Sequence, residues 1–108
     1  MISVITPNYN GGRYLAQAIE SVLAQRRAGV DLEYIVVDGG STDGSLAILE
    51  RYRPELARLV VEPDRGPASA INKGLALARG EIVGWLNADD LYHPGALARV
   101  AKGFAARP

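Results

Sequence analysis

Short apolar runs and longer stretches with apolar residues every three or four positions alternate along this chain. The short runs are rich in β-branched residues and predict strands, whereas the 3.6-residue spacing predicts amphipathic helices. The order that follows is β-α-β-α-β-α-β-α. The predicted strands are Ile2 to Thr6, Leu32 to Val37, Leu59 to Glu62 and Glu81 to Leu86. The predicted helices run from about Arg13 to Gln25, from the Gly-rich turn after Val37 to about Pro54, from Pro67 to Gly80, and from Pro94 through Phe104.

This alternation predicts a single α/β domain over residues 1–108, with a parallel sheet and helices on both of its faces. In such open sheets ligands bind just beyond the carboxyl ends of the strands. Polar turns that directly follow predicted strands are therefore the first candidates for a functional site.

Two acidic turns occupy such positions. Asp38-Gly39-Gly40-Ser41-Thr42-Asp43-Gly44 follows the second strand, and its spacing does not match a calcium-binding EF-hand loop. We expect Asp38, at the strand end, to contact a ligand, whereas Ser41 and Asp43 are equally well explained as caps of the next helix. The sequence thus predicts a ligand contact for Asp38. It leaves open whether Ser41 and Asp43 contact a ligand or only cap the helix.

Asn87-Ala88-Asp89-Asp90 follows the fourth strand. Unit charges 4 Å apart repel each other by roughly 1–4 kcal/mol at surface-like dielectric, and a bound cation removes that cost. Mg²⁺ and Mn²⁺ bind through one or two carboxylates together with water and substrate phosphate. The pattern alone favours this metal site and a solvated turn equally. His93 lies beside the turn, and a structural role is the more common one for a histidine before a proline.

Composition excludes several classes of function. Twelve basic residues balance twelve acidic ones, so a nucleic-acid surface is not expected, and the absence of cysteine rules out disulfides and thiolate chemistry. No apolar stretch approaches the roughly 20 residues of a membrane span. No signal peptide is visible, so we expect a cytoplasmic location. Neither a G-x-G-x-x-G nor a P-loop motif is present, so any nucleotide is held in another way.

Beyond these patterns, the chain resembles the amino-terminal, nucleotide-sugar-binding half of a family 2 glycosyltransferase with the Rossmann-like GT-A fold. The resemblance covers essentially the whole chain, and the ordered set of motifs is far more specific than any one of them. The matching segments are Ser3-Val4-Ile5-Thr6-Pro7-Asn8-Tyr9-Asn10, Tyr14-Leu15, Ile19 to Gln25, Tyr34 to Gly44, Glu62-Pro63-Asp64-Arg65-Gly66, Ala70 to Gly74, Ala78 to Glu81 and Trp85 to Asp90.

The resemblance implies a role for each matching site residue. Thr6, Pro7 and Tyr9 would line the nucleotide pocket, and Asp38 would lie by the base. Asp89 and Asp90 match the metal-binding acidic motif, with contacts to the ribose and to Mg²⁺ or Mn²⁺ on the diphosphate. The resemblance implies more weakly that Arg65, Asn72 and Lys73 help to hold the donor, and a helix-start role explains Asn72 at least as well.

Two positions depart from the pattern of many relatives. Gly39 stands where they carry a second aspartate that often reads uracil, which leaves GDP- and dTDP-sugars open beside UDP-sugars. Asn87 replaces an aspartate at the start of the acidic motif, which removes one charge near the metal. Some members share both features, so neither departure indicates an inactive protein.

The family fold continues beyond this point into an acceptor-binding half that carries the catalytic base, so we expect a truncated domain. The implied reaction is an inverting, metal-dependent transfer of sugar to a saccharide or lipid-linked acceptor, in the cytoplasm or at the cytoplasmic face of the membrane. An uncovered sheet edge predicts self-association into homo-oligomers.

Two other functions compete with this interpretation. The missing acceptor half favours a module that binds a nucleotide or sugar nucleotide without transfer. A phosphoryl-accepting receiver domain would need acidic residues after the first strand, where this chain has Thr6-Pro7-Asn8. The sequence therefore supports a donor-binding site, with or without catalysis.

Overall fold

The computed structural model describes residues 1–63, 66–92 and 95–105, and it confirms the predicted alternation of strands and helices. The strands are β1 (Ile2–Asn8), β2 (Leu32–Asp38), β3 (Arg58–Val61) and β4 (Ile82–Trp85). The helices are α1 (Gly12–Arg27), α2 (Ser45–Tyr52), α3 (Pro67–Leu77) and α4 (Ala96–Ala105), with a short 3-10 helix at Arg53–Glu55. Within the described part of the chain, no helix has the length and apolar character needed to cross a bilayer.

The strands form a parallel sheet in the order β3-β2-β1-β4. The central strands β1 and β2 are buried along their whole length, as strands covered on both faces are. Their buried polar side chains make hydrogen bonds, among them Ser3 with Glu33 and Thr6 with Tyr34. From β1 the chain moves to β2 on one side, and it later returns to place β4 on the other. This reversal of strand order opens a crevice beyond the carboxyl ends of β1 and β4, which is where such sheets bind ligands.

Two apolar clusters cover the two faces of the sheet. On one face, α1, α2 and α4 pack against the side chains of Val4, Tyr34 and Val36. On the other face, α3 packs against Ile5 and Ile35. Because α3 connects β3 with β4 across this second face, its first residues reach the carboxyl end of the sheet, beside the crevice.

Glycine sets the distance between α3 and the sheet. A Cβ atom at Gly74 would lie 2.5 Å from Cγ2 of Ile5 and 2.9 Å from Cγ1 and Cδ1 of the same side chain. Real Cβ atoms do not approach other heavy atoms so closely, and Ile5 is completely buried. The helix α3 can therefore lie this close to the sheet only because position 74 has no side chain.

The observed elements differ from the predicted ones mainly at their ends. β1 and β2 continue to Asn8 and Asp38, so each strand ends on a polar residue at the carboxyl end of the sheet. Gly80, predicted to close the third helix, does not do so, because α3 ends at Leu77. A Cβ at Gly80 would lie 2.7 Å from backbone atoms of Met1 and Ser3, so the glycine allows close chain packing instead. The predicted start of the last helix, Pro94, lies outside the described residues.

β4 forms an edge of the sheet among the described residues and is covered incompletely. Trp85 is 59% exposed and Val83 39%, and both point to the α3 side of the sheet because they pair in register with Ile5 and Ser3. An exposed apolar edge strand is a surface on which chains associate. Self-association stays a prediction.

A buried carboxylate ties the opposite end of the sheet together. Glu33 is 5% exposed and accepts hydrogen bonds from the Ser3 hydroxyl and from the backbone and guanidinium N–H groups of Arg79. Burial alone would raise the pKa of Glu33, but these hydrogen bonds outweigh it and hold the pKa below its ordinary value of 4.5. The stabilisation is therefore present above that ordinary value and is lost as the pH falls through the lower pKa of the folded state.

We predict that Glu33→Gln lowers the free energy of unfolding by about 1 kcal/mol at pH 7 and flattens its decrease below about pH 4.5. Urea unfolding at several pH values between 3 and 7 measures both effects. The matched control is Glu81→Gln, because the Glu81 side chain is 87% exposed. An equal acid response of the wild type and Glu33→Gln would contradict this assignment.

Candidate functional site

The turn after β1 lines the crevice. Its chain reversal includes Asn10 at φ 54°, a left-handed conformation that asparagine adopts more readily than most residues. Gly11 follows, and a Cβ atom there would lie 2.6 Å from Oδ1 of Asn8. The run Asn8-Tyr9-Asn10-Gly11 is thus suited residue by residue to a tight turn, which leaves the Tyr9 side chain 64% exposed.

Asp38 organises the neighbouring turn after β2. Its side chain is completely buried, and both carboxylate oxygens accept hydrogen bonds from within the protein. The donors are Asn8 Nδ2 at 2.8 Å, Gly40 N at 2.9 Å, Ser41 N at 2.8 Å and Ser41 Oγ at 2.7 Å. A carboxylate with this many donors fixes the shape of the turn and links it to β1.

Further hydrogen bonds join the two turns side by side. Asn10 Oδ1 accepts from the N–H groups of Thr42 and Asp43, at 2.8 and 3.3 Å. In return, Asp43 accepts from the first N–H of α1, at Gly12, and from the N–H of Ser45 in α2. Asp43 therefore caps helical N–H groups, as the sequence allowed, but it serves two helices. Ser41, the other candidate cap, binds Asp38 and the Asn10 backbone instead.

A cavity of about 650 Å³ lies beyond the carboxyl ends of β1 and β4; we call it the β1–β4 cavity. This volume is in the range that holds small organic ligands and cofactors. Its walls come from the turn after β1, the first turn of α1, the start of α3 and the turn after β4. The lining residues are Pro7, Asn8, Tyr9, Gly11, Tyr14, Gly66, Ala70, Asn87, Ala88 and Asp89.

Two tyrosines give the cavity exposed aromatic surface. Tyr9 is 64% and Tyr14 44% exposed. The Arg13 guanidinium lies 5.3 Å from the centre of the Tyr14 ring, a distance at which a cation is attracted to an aromatic face. Flat, accessible rings of this kind can stack on a nucleobase.

The turn after β4 brings carboxylates to the same cavity. The chain leaves the sheet with a hydrogen bond from Leu86 N to Ile5 O, and Ala88 is buried, so the turn is anchored on both sides of Asn87. Asp89 and Asp90 then project as exposed residues, with Asp89 lining the cavity. The N–H of Leu91 donates to Oδ1 of Asp90, which orients that carboxylate.

This donor set fits a divalent cation that takes few protein ligands. Among the described residues, no group of three or more histidine, cysteine, aspartate or glutamate side chains could enclose a metal. Mg²⁺ and Mn²⁺ do not require one, because they bind through one or two carboxylates and complete their shells with water and phosphate oxygens. Asp89, which lines the cavity, and the exposed Asp90 that follows it in the chain supply the one or two carboxylates of such a site.

The structure brings three of the predicted site residues together, since Pro7, Tyr9 and Asp89 all line the cavity. Asp90 follows Asp89 in the chain and is exposed, but it is not among the lining residues. Arg65 lies outside the described residues, as does His93.

Two predicted contacts need correction. Thr6 does not line the cavity, because its side chain is completely buried and shares a 2.7 Å hydrogen bond with the Tyr34 hydroxyl in the core. Asp38 has no exposed surface for a ligand, since its carboxylate is enclosed by the turn that it shapes. Both residues lie at the predicted end of the sheet, but each faces inward.

The two α3 residues lie away from the cavity lining. Asn72 is exposed in the middle of the helix rather than at its start. Lys73 Nζ is 3.0 Å from a carboxylate oxygen of Glu62 and 3.2 Å from the carbonyl oxygen of Pro63. In this structure Lys73 thus holds the segment after β3. Donor contacts by either residue stay a prediction.

Sequence reasoning missed several wall residues, among them Asn8, Gly11, Tyr14, Gly66 and Ala70. Gly66 and Ala70 carry no functional group, so their part in the cavity follows only from the path of α3. The strand-end rule applied to Asn8 could have identified it. Tyr14 was one of the matched positions of the resemblance, but nothing in the pattern placed it at the site.

The geometry agrees with what the chain resembles among known proteins. The sequence model described as "Glycosyl transferase family 2" matches residues 3–108. An uncharacterised glycosyltransferase of Nostoc sp. is 42% identical over 106 residues, which cover 95% of this chain and 32% of that protein. A glycosyltransferase of PGL/p-HBAD biosynthesis from Mycobacterium tuberculosis is 41% identical over 105 residues, covering 94% of this chain and 40% of that protein.

Solved structures give the same picture. A mannosyltransferase from Pyrobaculum calidifontis, in complex with GDP-Man and Mn²⁺, superposes with a TM-score of 0.85 and 36% identity. That match covers 99% of this chain and 32% of the mannosyltransferase. S. aureus TarS, in complex with UDP-GlcNAc, gives a TM-score of 0.83 and 31% identity over 96% of this chain and 31% of TarS. The chain thus spans 31–40% of the length of these relatives.

Proposed function

Because this chain belongs to glycosyl transferase family 2, we propose that the β1–β4 cavity binds the nucleoside diphosphate of a nucleotide-diphospho-sugar donor. One observation carries the proposal: an exposed aromatic side chain, Tyr9, and an exposed carboxylate, Asp89, line the same cavity at the carboxyl end of the sheet. A base needs a flat apolar surface, and a ribose hydroxyl or a phosphate-bound cation needs a carboxylate. The complexes of the two related structures with sugar nucleotides support this choice of ligand.

The charges of the site favour a cation bound together with the donor. A diphosphate bound in the cavity would lie near the carboxylates of Asp89 and Asp90, and these negative charges would repel it. We infer that these two aspartates hold Mg²⁺ or Mn²⁺ against the diphosphate. When bound, the metal supplies Lewis-acid stabilisation of the charge that develops on the departing nucleoside diphosphate. The contribution of the chain itself is to bind the base and ribose, and to orient the anomeric carbon toward an acceptor.

The reaction proposed for the whole protein is an inverting displacement. An acceptor hydroxyl, on a saccharide or a lipid-linked molecule, loses its proton to a general base as its oxygen bonds to the anomeric carbon. The bond from that carbon to the diphosphate breaks, and its electrons leave with the nucleoside diphosphate. A base must lie within hydrogen-bonding reach of the acceptor proton. Residues 1–108 would act as the donor-binding half, and the base would come from beyond them, in a protein working in the cytoplasm or at the cytoplasmic membrane face.

Binding without transfer is the second candidate function. Asp89 is the single carboxylate lining the cavity in the described part of the chain, and it is the one assigned to ribose and metal. That leaves no lining carboxylate there to deprotonate an acceptor. Assays for sugar transfer, with the 108-residue chain compared with a longer protein that contains it, distinguish the two functions.

We predict that UDP, GDP or dTDP raises the melting temperature in the presence of Mn²⁺, and that EDTA removes most of the shift. A ligand at 100 times its Kd stabilises the folded state by roughly 2.7 kcal/mol, which a thermal-shift titration detects. Because Gly39 carries no carboxylate to select uracil, all three nucleotides should be compared. The nucleotide that gives the largest shift identifies the base.

The matched variants are Asp89→Asn and Asp31→Asn. Asp89→Asn removes the proposed metal and ribose ligand at nearly constant size, and should abolish the Mn²⁺-dependent shift. Asp31 has an 82% exposed side chain at the other end of the sheet, so its variant should respond like the wild type. A folded wild type that gains no stability from any nucleotide with Mn²⁺ would refute the proposed function.

A further inference from the structure

Tyr9 projects into the β1–β4 cavity from a turn whose backbone is held on both sides. With 64% of its surface exposed, its ring is not fixed by burial. The positions immediately before and after it, Asn8 and Asn10, are instead both tied to the turn after β2. The place of Tyr9 in the cavity therefore depends on bonds that its neighbours make.

Asn10, the residue after Tyr9, makes three hydrogen bonds to the turn after β2. Its side-chain oxygen accepts from Thr42 N at 2.8 Å and from Asp43 N at 3.3 Å. Its own N–H donates to Ser41 Oγ at 2.9 Å. Asn10 makes these bonds from a left-handed backbone at φ 54°, a conformation that most residues with a Cβ disfavour. Asparagine combines tolerance of this conformation with an oxygen that can reach the opposite turn.

Ser41 binds both residues that flank Tyr9, Asn10 on one side and Asn8 on the other. Its hydroxyl donates to Asp38 and accepts from Asn10 N at 2.9 Å and Asn8 Nδ2 at 3.3 Å. One donated and two accepted bonds use the whole hydrogen-bonding capacity of a hydroxyl. The residues that flank Tyr9 are thus bound to the same side chain, which is itself fixed by a buried carboxylate.

We propose that Asn10 is a positioning residue for ligand binding: by bonding the turn after β2, it holds Tyr9 as the wall against which the base packs. The inference rests on the function proposed above, and it assigns a role to a residue that lies outside the cavity lining. The competing role for Asn10 is stabilisation of the two turns with no effect on the ligand. The two roles differ in what happens to affinity when the fold is kept.

Three substitutions separate the effects of Asn10. Asn10→Gly keeps the left-handed backbone accessible and removes the side-chain oxygen. Asn10→Asp keeps an oxygen and also tolerates this backbone. Because its carboxylate would lie beside Asp43, inside the Debye length of about 8 Å at 0.15 M salt, the comparison is made at about 1 M salt, where that length is about 3 Å. Asn10→Ala removes the oxygen and adds backbone strain, so it should melt at a lower temperature than Asn10→Gly.

The first measurement is made without ligand, by ¹⁵N NMR on the whole chain. In Asn10→Gly the Thr42 amide should exchange with solvent at least about tenfold faster, because it loses its acceptor. The backbone order parameter at Tyr9 should fall from about 0.85 toward 0.6. Asn10→Asp should resemble the wild type in both. Unchanged exchange and order in Asn10→Gly would overturn the proposal, whether or not any nucleotide binds.

The second measurement is calorimetric titration with UDP and GDP, each with Mn²⁺. We expect Kd to rise about tenfold in Asn10→Gly, because binding must then order the turn. Asn10→Ala should lose affinity to the same extent despite its lower melting temperature, and Asn10→Asp should restore it. A loosened turn with unchanged Kd would overturn the positioning role. Failure of the wild type to bind would refute the proposed function, and the NMR comparison would still decide whether Asn10 holds Tyr9.

Discussion

Replacement of Asp38 by alanine is expected to lower the free energy of unfolding by about 3 kcal/mol and to remove nucleotide binding. The carboxylate is completely buried and accepts from Asn8 Nδ2, from two backbone N–H groups and from the Ser41 hydroxyl. Alanine leaves these donors without their acceptor, and a buried donor without a partner costs roughly 1–3 kcal/mol. Because the same donors shape both turns at the cavity, we expect binding to be lost together with stability.

Urea unfolding measures the first effect and calorimetric titration the second. Asp31→Ala is the control, since its exposed side chain should contribute less than about 0.5 kcal/mol. Asp38→Asn keeps the size but replaces one acceptor oxygen with a donor, so its stability should lie between those of the wild type and Asp38→Ala. An Asp38→Ala protein of normal stability that fails only to bind nucleotide would instead support a direct ligand contact by Asp38.

Gly74→Ala should destabilise the protein by about 1–3 kcal/mol, although alanine is the better helix former. The new methyl group would lie 2.5–2.9 Å from three carbon atoms of the buried Ile5 side chain. Either Ile5 must leave its rotamer or α3 must move away from β1. Movement of α3 would also shift Gly66 and Ala70 in the cavity wall, so nucleotide affinity should fall as well.

Two comparisons test the steric origin of this effect. Gly44→Ala places a methyl group where no heavy atom lies within 4 Å, and it should change stability little. In an Ile5→Ala background the carbon atoms that obstruct position 74 are absent, so Gly74→Ala should become neutral or stabilising by filling the space. Equal losses from Gly74→Ala in both backgrounds would exclude the contact with Ile5 as the cause.

The order of elements and the end of the sheet that carries the site could be predicted from sequence because both follow from periodicity. Val36 and Val37 indicate a buried strand without any tertiary information, and a parallel sheet then places the following turn at the ligand-binding end. The resemblance assigned Pro7, Tyr9 and Asp89 to donor binding; all three line the cavity, and the binding itself stays a prediction.

The direction in which a polar side chain points could not be predicted in the same way. Thr6 and Asp38 lie at the expected end of the sheet, yet Tyr34 and Asn8 provide hydrogen-bond partners for them from distant parts of the chain. Whether a carboxylate faces a ligand or a turn depends on such non-local donors. Gly80 shows the same limit for the backbone: its spacing matched a helix end, but its closest neighbours belong to the first strand.

The exposed edge of the sheet also gives the protein an optical reporter. Trp85 is the single tryptophan of the chain, so all indole emission comes from β4, four residues before Asp89. At 59% exposure the ring is largely in water, and its emission should shift to shorter wavelength when another polypeptide covers that strand. Docking of a second copy, or of further chain supplied in trans, can thus be followed without a label, at the edge that adjoins the proposed metal site.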